Sequence, residues 1–273
     1  MKPFVPTTLS QEQRAFIDRA IAVLSADARV MGVAAAGSYA TDTMDQFSDI
    51  DLVVAVDPAH EAEIRKERHE IAARIGNLLA GFTGEHVGEP RLLICLYGSP
   101  LLHVDLKFVA LGDAGKRVDE PVVLSERGSR LTESLAREGA AYPGPEMQWV
   151  EDRFWVWLHY VAAKIGRGEF FEALDFLSFL RTSVLGPLGL RALGLRPSGV
   201  RRIEAIAPSL ADELKATVAV LEAESLLAAV RASVATYRRL RSASATPVDC
   251  RTAAEAAAMG YLEEIEAACA CRP

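Results

Sequence analysis

The stretch GSYATDTMDQFSDIDLVV, Gly37 to Val54, decides how this chain of 273 residues is read. A short apolar run before it, Arg29 to Ala36 (RVMGVAAA), stops at Gly37-Ser38, which predicts a buried strand closed by a turn. Ten residues lie between Ser38 and Asp49. Asp49-Ile50-Asp51 then leads into IDLVVAV, Ile50 to Val56, a second strand closed by Asp57-Pro58. Residues two apart in a strand point to the same face, so Asp49 and Asp51 project side by side. Adjacent carboxylates repel and lose hydration on burial unless a cation neutralises them. A hard divalent ion such as Mg2+, held by oxygen ligands and shared with substrate phosphates, meets that need. Gly37 lets a phosphate approach the backbone, and Ser38 adds a hydroxyl and an amide N–H at the turn.

A third carboxylate joins them. In LLHVDLKFVA, Leu101 to Ala110, Asp105 is the lone acid of an apolar strand-like run, with His103 and Lys107 two residues either side on the same face. An acid inside a strand is normally avoided. A strand beside Ile50 to Val56 brings Asp105 to the same ions. Three carboxylates around two metals suit in-line phosphoryl or nucleotidyl transfer, and Asp105 is also placed to take a proton from the attacking group. Blander readings stand beside this one: a polar strand start for Asp49 and Asp51, an ion pair with Lys107 or His103 for Asp105, and a helix cap near Tyr39 for Ser38.

Outward from this stretch, Ser10 followed by Gln13 is a capping-box pattern, and Phe16, Ile17, Ala20, Ile21 and Leu24 recur at helical spacing, predicting a helix over Gln11 to Ser25. Ala59 to Leu79 reads as an exposed amphipathic helix with Ile64, Ile71, Ile75 and Leu78 on its apolar side. Arg91 to Tyr97 and Leu101 to Ala110 read as strands around a Gly98-Ser99-Pro100 turn. The fold class is α+β: a mixed sheet with helices over residues 1–140, then a helical bundle over 141–273. The breaker cluster Tyr142-Pro143-Gly144-Pro145 supplies the linker. Helices are expected over Met147 to Gly166, Glu169 to Val184, two parts of Ser198 to Leu240, and Arg251 to Ala268. Pro187, Pro197, Pro208 and Pro247 are placed between them.

Composition narrows the function. Against 37 Asp plus Glu stand 30 Lys plus Arg, a formal charge of -7, and half of the chain is apolar. Residues 1–145 hold 15 basic and 21 acidic side chains, the remainder 15 and 16, so the acidity belongs to the first half. Affinity for nucleic acid comes mostly from Lys and Arg releasing counterions, so no nucleic-acid partner is expected. Four cysteines make no disulfide framework, and Cys269-x-Cys271 reads as a frayed tail rather than a zinc site. MKPFVPTTLS lacks the apolar core of a secretory signal, and no run of about 18 apolar residues occurs, so a cytoplasmic protein with no membrane partner is expected.

Gly-Ser, a spacer, Asp-x-Asp on a strand and a later strand Asp resemble the nucleotidyltransferase superfamily typified by DNA polymerase beta, over roughly Arg29 to Ala110. More loosely, HYVAAKIGRGEFFEALDFLSFLR resembles the C-terminal domain of bacterial aminoglycoside 6-adenylyltransferases and lincosamide nucleotidyltransferases. The resemblance implies transfer of a nucleoside monophosphate, AMP from ATP, to a hydroxyl of a small acceptor lying between the two halves, with an aminoglycoside- or lincosamide-like antibiotic as one such acceptor. It implies two Mg2+ ions on Asp49, Asp51 and Asp105, a triphosphate on Gly37-Ser38, and a contact from Lys164 to that triphosphate. A solvated cation near a helix end is the competing reading of Lys164. One departure is Ala40-Thr41-Asp42 where many members have Ala-Arg-Gly. Alternatives are a protein-modifying or antitoxin-like nucleotidyltransferase and a non-catalytic nucleotide-binding module; a homodimer is one assembly left open. Weaker candidates in the second half are Glu151 and Asp152, as a base or a cation holder, and Asp175. The aromatic run Trp149, Phe154, Trp155, Trp157, Tyr160 is expected mostly in the core, and His159 is expected to be structural.

Overall fold

The computed structural model describes residues 4–271. The expectation about the N-terminus rests in part on residues 1–3, which lie outside them. The chain divides between Ala141 and Tyr142 into two compact units.

In the first unit, α1 (Gln11–Ala26) starts at a complete capping box between Ser10 and Gln13. It leads to β1 (Val30–Ala35), the single helical turn α2 (Gly37–Ala40), β2 (Ile50–Val56) and α3 (Glu61–Ile75). Then come β3 (Leu78–Gly84), β4 (Glu89–Tyr97), β5 (Leu102–Ala110), β6 (Val122–Glu126) and α4 (Arg130–Leu135). The six strands form one sheet in the order β3-β4-β5-β2-β1-β6. β2 and β5 run parallel, while β1 pairs antiparallel with β2 and β6, and β4 antiparallel with β3 and β5.

The two faces of this sheet are covered unequally. Phe16, Ile17, Ala20 and Leu24 of α1 and Ile64, Ile71 and Ile75 of α3 pack with Ile50, Leu52, Val54, Leu93, Val104 and Leu106. A buried aliphatic side chain contributes about 1.5–3 kcal/mol, so this face anchors the unit. The opposite face has only a small cluster, Ala34, Ala55, Val109 and Ala114 against Leu131 and Leu135 of α4. That cluster lies toward the C-terminal ends of β2 and β5 and leaves their N-terminal ends clear of it.

Two strands escaped the sequence reading. The helix expected to reach Leu79 stops at Ile75, where Gly76 takes an extended backbone. Leu78 stands at helical spacing from Ile71 and Ile75, yet it opens β3, which pairs with β4 from Leu78↔Tyr97. As an outer strand with a mostly uncovered side, β3 lacks the alternation that reveals a strand. β6 is the other sheet edge and is half-buried throughout.

Among the described residues, the regular elements of the second unit are helices: α5 (Met147–Arg167), α6 (Phe170–Phe179), α7 (Gly186–Ala192), α8 (Ile203–Ile206), α9 (Pro208–Lys215), α10 (Ala223–Ser242) and α11 (Thr252–Ala270). A π-helical segment, Leu180–Leu185, joins α6 to α7, so Pro187 sits within a continuous helical run and not between runs. The wider turn changes which carbonyls the following N–H groups meet, which accommodates a residue lacking an N–H. The run Phe170–Ala192 is long and apolar enough to cross a bilayer, but more than half of its apolar window is buried in the protein. Cys269 also departs from the expected frayed tail, because α11 continues through it to Ala270 and it packs partly buried against the core.

Glu151 ties this unit together. Its carboxylate is fully buried and accepts hydrogen bonds from Trp155 Nε1 at 3.1 Å, Arg241 at 3.0 Å, the Arg251 amide at 2.8 Å and the Tyr237 hydroxyl. Arg241 also bonds Glu255 at 2.9 Å, so α5, α10 and α11 share one network. Removing one partner of a buried pair strands the other charge, at about 3–5 kcal/mol. Glu151→Ala is expected to lower the unfolding free energy by about that amount in urea titrations. In the first unit, the Arg91 guanidinium, bonded to Glu89 at 2.7 Å, together with the Lys107 ammonium at 2.8 Å, holds the Glu89 carboxyl at about 2. A depressed folded-state pKa adds stability above the unfolded value, lost as pH falls through the folded one. Unfolding midpoints measured from pH about 4.5 down to about 2 are therefore expected to fall less steeply in Glu89→Gln than in the wild type.

Candidate functional site

The parallel pairing of β2 with β5 sets Asp51 directly opposite Asp105. In β2, Ile50, Leu52 and Val54 turn into the core, leaving Asp51 on the sparsely covered face; in β5, Val104 and Leu106 do the same for Asp105. Asp49 stands one residue before β2 begins. One carboxylate oxygen from each of Asp49, Asp51 and Asp105 lies within 4.8 Å of the others, and all three residues are half-buried. At an effective dielectric constant of ~20, two ionised groups that far apart repel by roughly 3 kcal/mol. A hard divalent cation removes that repulsion, and an all-oxygen donor set is the kind Mg2+ takes.

Of the two ion pairs considered for Asp105, one forms: His103 Nε2 lies 3.1 Å from Asp105 Oδ1. Lys107 instead holds Glu89.

The turn after β1 abuts these acids. Gly37 adopts a φ of +56°, and a Cβ there would lie 2.1 Å from Asp51 Oδ2, so both the backbone and the neighbouring carboxylate demand glycine. The Ala36 amide donates to the Asp51 carbonyl at 3.0 Å and fixes the turn to β2. Ser38 does not cap α2: Ala36 is the capping position, and Ser38 lies inside the turn. Its hydroxyl is buried without a hydrogen-bond partner. An unsatisfied buried polar group costs about 1–3 kcal/mol, so this hydroxyl suits an incoming acceptor oxygen. In the departing tripeptide, the Thr41 hydroxyl donates to the Gly37 carbonyl at 3.2 Å. Asp42, where the resemblance sets glycine, still takes the left-handed backbone with φ 54°, and its side chain accepts from the Thr7 amide at 2.9 Å.

The other candidates belong to the helical unit. Lys164 ion-pairs with Glu169 at 2.6 Å and with Glu172, and lies over the Tyr160 ring at 5.2 Å. Its hydrogen bonds to these carboxylates raise its pKa, so it is a cation. Glu151 is the buried hub described above, not an accessible base or cation holder. Asp152 pairs with Arg251 at 2.7 Å. Asp175 is exposed, and His159 lies against Tyr261 with ring centroids 4.4 Å apart. Only part of the aromatic run is core: Phe154 and Trp155 are buried, while Trp149 and Tyr160 are 44% and 42% exposed. Trp149, Trp157, Phe179, Phe176 and Tyr160 touch ring to ring in that order at 5.2–5.6 Å. Spacing alone did not separate these faces, because α5 is apolar over most of its circumference. Burial pushes the Cys95 thiol up to about 12, so that cysteine is inert filling of the sheet core.

Residues 17–87 match the nucleotidyltransferase domain family. The chain is similar to an aminoglycoside 6-adenyltransferase from Bacillus subtilis, with 15% identity over 92% of this chain and 97% of that one, at a TM-score of 0.41. It is also similar to a nucleotidyltransferase-like protein from Exiguobacterium sibiricum 255-15, with 14% identity over 82% of this chain and 73% of that one, at a TM-score of 0.37. No curated protein matches the sequence. A nucleotidyltransferase domain is thus recognised within the first unit, over residues 17–87.

Gly37→Ala tests how tightly the turn and Asp51 are matched. It is expected to destabilise the first unit by more than about 1 kcal/mol in denaturant titrations, since it combines a strained φ with a clash against Asp51.

Proposed function

We propose that this protein is a Mg2+-dependent nucleotidyltransferase that moves a nucleoside monophosphate, AMP from ATP, onto a hydroxyl of a small molecule. The observation that carries this reading is the cluster of Asp49, Asp51 and Asp105 within 4.8 Å beside Gly37-Ser38, whose buried hydroxyl has no partner of its own. The donor set fits hard divalent cations, and Asp49, Asp51 and Asp105 would hold them, two in number. When bound, such ions neutralise the triphosphate and the departing pyrophosphate and lower the pKa of a coordinated hydroxyl.

The protein's own groups do the rest. Gly37 lets the turn close against the Asp51 carboxylate, and the Gly37-Ser38 turn holds phosphate, with the Ser38 hydroxyl donating to a phosphate oxygen. Asp105 accepts the proton of the attacking hydroxyl as its oxygen bonds to the α-phosphorus. The bond from that phosphorus to the bridging oxygen breaks, and pyrophosphate leaves. Lys164, on the resemblance of its helix, would exchange its carboxylate partners for oxygens of the triphosphate. Residues 1–140 form the catalytic domain in this reading. The acceptor class remains a hydroxylated small molecule, an aminoglycoside- or lincosamide-like compound among them. The charge of -7 speaks against a nucleic-acid acceptor.

Asp49→Asn and Asp51→Asn are each expected to abolish Mg2+-dependent pyrophosphate release, in a screen of the four nucleotides against hydroxylated antibiotics and metabolites, while the circular dichroism spectrum stays unchanged. Undiminished turnover in either variant would sink the reading.

A further inference from the structure

Asp49 is the one member of the carboxylate cluster that no strand holds, because β2 begins at Ile50. Something else must place it, and the residues preceding it, Thr41 to Ser48, contain no regular element. Gln13, in the first turn of α1 and only 2% exposed, reaches that loop. Its Oε1 accepts from the Ser10 amide at 3.0 Å, while the Ser10 hydroxyl accepts from the Gln13 amide at 3.1 Å. These two bonds are the capping box legible in the sequence. They use only the acceptor end of the side chain.

The other end is spent on the loop. Gln13 Nε2 donates to the Asp45 carbonyl at 2.9 Å and to the Ser48 carbonyl at 3.2 Å. Ser48 immediately precedes Asp49. Either Glu or Gln completes a capping box, but only Gln also brings two donors. The same N-terminal segment grips the loop elsewhere: the Thr8 hydroxyl donates to the Met44 carbonyl, and the Tyr39 hydroxyl donates back to the Phe4 carbonyl at 3.0 Å. Within the loop, the Asp45 amide donates to the Ser48 hydroxyl at 2.9 Å, so the two carbonyls that Gln13 holds belong to one closed turn.

We infer that Gln13 is a positioning residue: its amide fixes the Asp45–Ser48 turn and thereby sets Asp49 within reach of the cation shared with Asp51 and Asp105. The inference rests on the reading of those three acids as a divalent-cation site. It assigns the first helix a part in metal binding, although no residue of α1 belongs to the carboxylate cluster.

The test is Mn2+ binding to the full chain, followed by the electron paramagnetic resonance signal of the free ion. Three variants separate the cap from the loop. Ser10→Ala removes half of the capping box and leaves both Nε2 bonds. Gln13→Glu keeps the cap acceptor and turns a carboxylate oxygen on the two carbonyls. Gln13→Met keeps the volume without a buried charge and serves if Gln13→Glu does not fold. Supporting residues of this kind are worth about 10–100-fold in metal affinity. Ser10→Ala is expected to lower the melting temperature while the Mn2+ dissociation constant stays within about 2-fold, whereas Gln13→Glu and Gln13→Met raise that constant about 10-fold or more. In the Asp49→Asn background the Gln13 substitution is expected to add little, because both act on one ligand. Wild-type affinity in folded Gln13→Met overturns the inference and leaves the metal site standing. Absence of Mn2+ binding by the wild type overturns the metal reading itself, and the inference with it.

Discussion

The parallel pairing of β2 with β5 is the constraint on which the first unit depends. It makes the sheet mixed, it places Asp51 and Asp105 at one register position, and it requires the chain between these strands to cross over. The crossover contains α3, β3 and β4, and α3 covers the same sheet face as α1. With both helices on one side, the acids project on the other, where, among the described residues of this unit, the α4 cluster covers the far ends of the strands. A one-residue slip in register would carry Asp51 into the core beneath α1 and α3, where it has no partner. The apolar residues that alternate with the two acids therefore do more than build a core. They specify which face the acids take.

This coupling explains why the site was more legible than parts of the scaffold. Asp49, Asp51 and Asp105 stand out because each interrupts or opens an apolar run, and interruption is a local signal. Gly37 is local too, since a strand that ends in glycine announces a turn. The missed strands lack that contrast. β3 follows a helix whose apolar spacing continues into Leu78, and being an outer strand it needs no clean alternation. The cap of α1 was legible from Ser10 and Gln13, yet the donors that Gln13 sends to Asp45 and Ser48 were not, because their partners are more than thirty residues away.

Carboxylates have opposite fates in the two units, and the difference lies in their surroundings. Glu151 is more deeply buried than any of the three site acids, yet it accepts bonds from a phenol, an indole, a guanidinium and a backbone amide. Burial alone would raise its pKa, and these four donors together hold it down instead. A carboxylate so supplied has no use for a metal. Its partners lie up to 100 residues downstream, so a reading of α5 by itself offered a base or a cation holder. Asp49, Asp51 and Asp105 each bring an oxygen within 4.8 Å of the others, and His103 Nε2 lies 3.1 Å from Asp105 Oδ1.

A site of like charges held close is unfavourable to fold, and the structure shows where the compensation comes from. The large hydrophobic face under β2 and β5 fixes two of the acids through the backbone ladder. The third has no ladder, and its loop is tied to the N-terminal segment by side-chain bonds at several points between Tyr39 and Ser48. Rigid strands and a pinned loop together set three oxygens within 4.8 Å of one another. On the proposed function, that preorganisation would convert mutual repulsion into affinity, since an ion that relieves it need not also order the residues that bind it. On the same proposal, the Ser38 hydroxyl, buried without a hydrogen-bond partner, carries a cost in free energy that a phosphate oxygen accepting from it would recover.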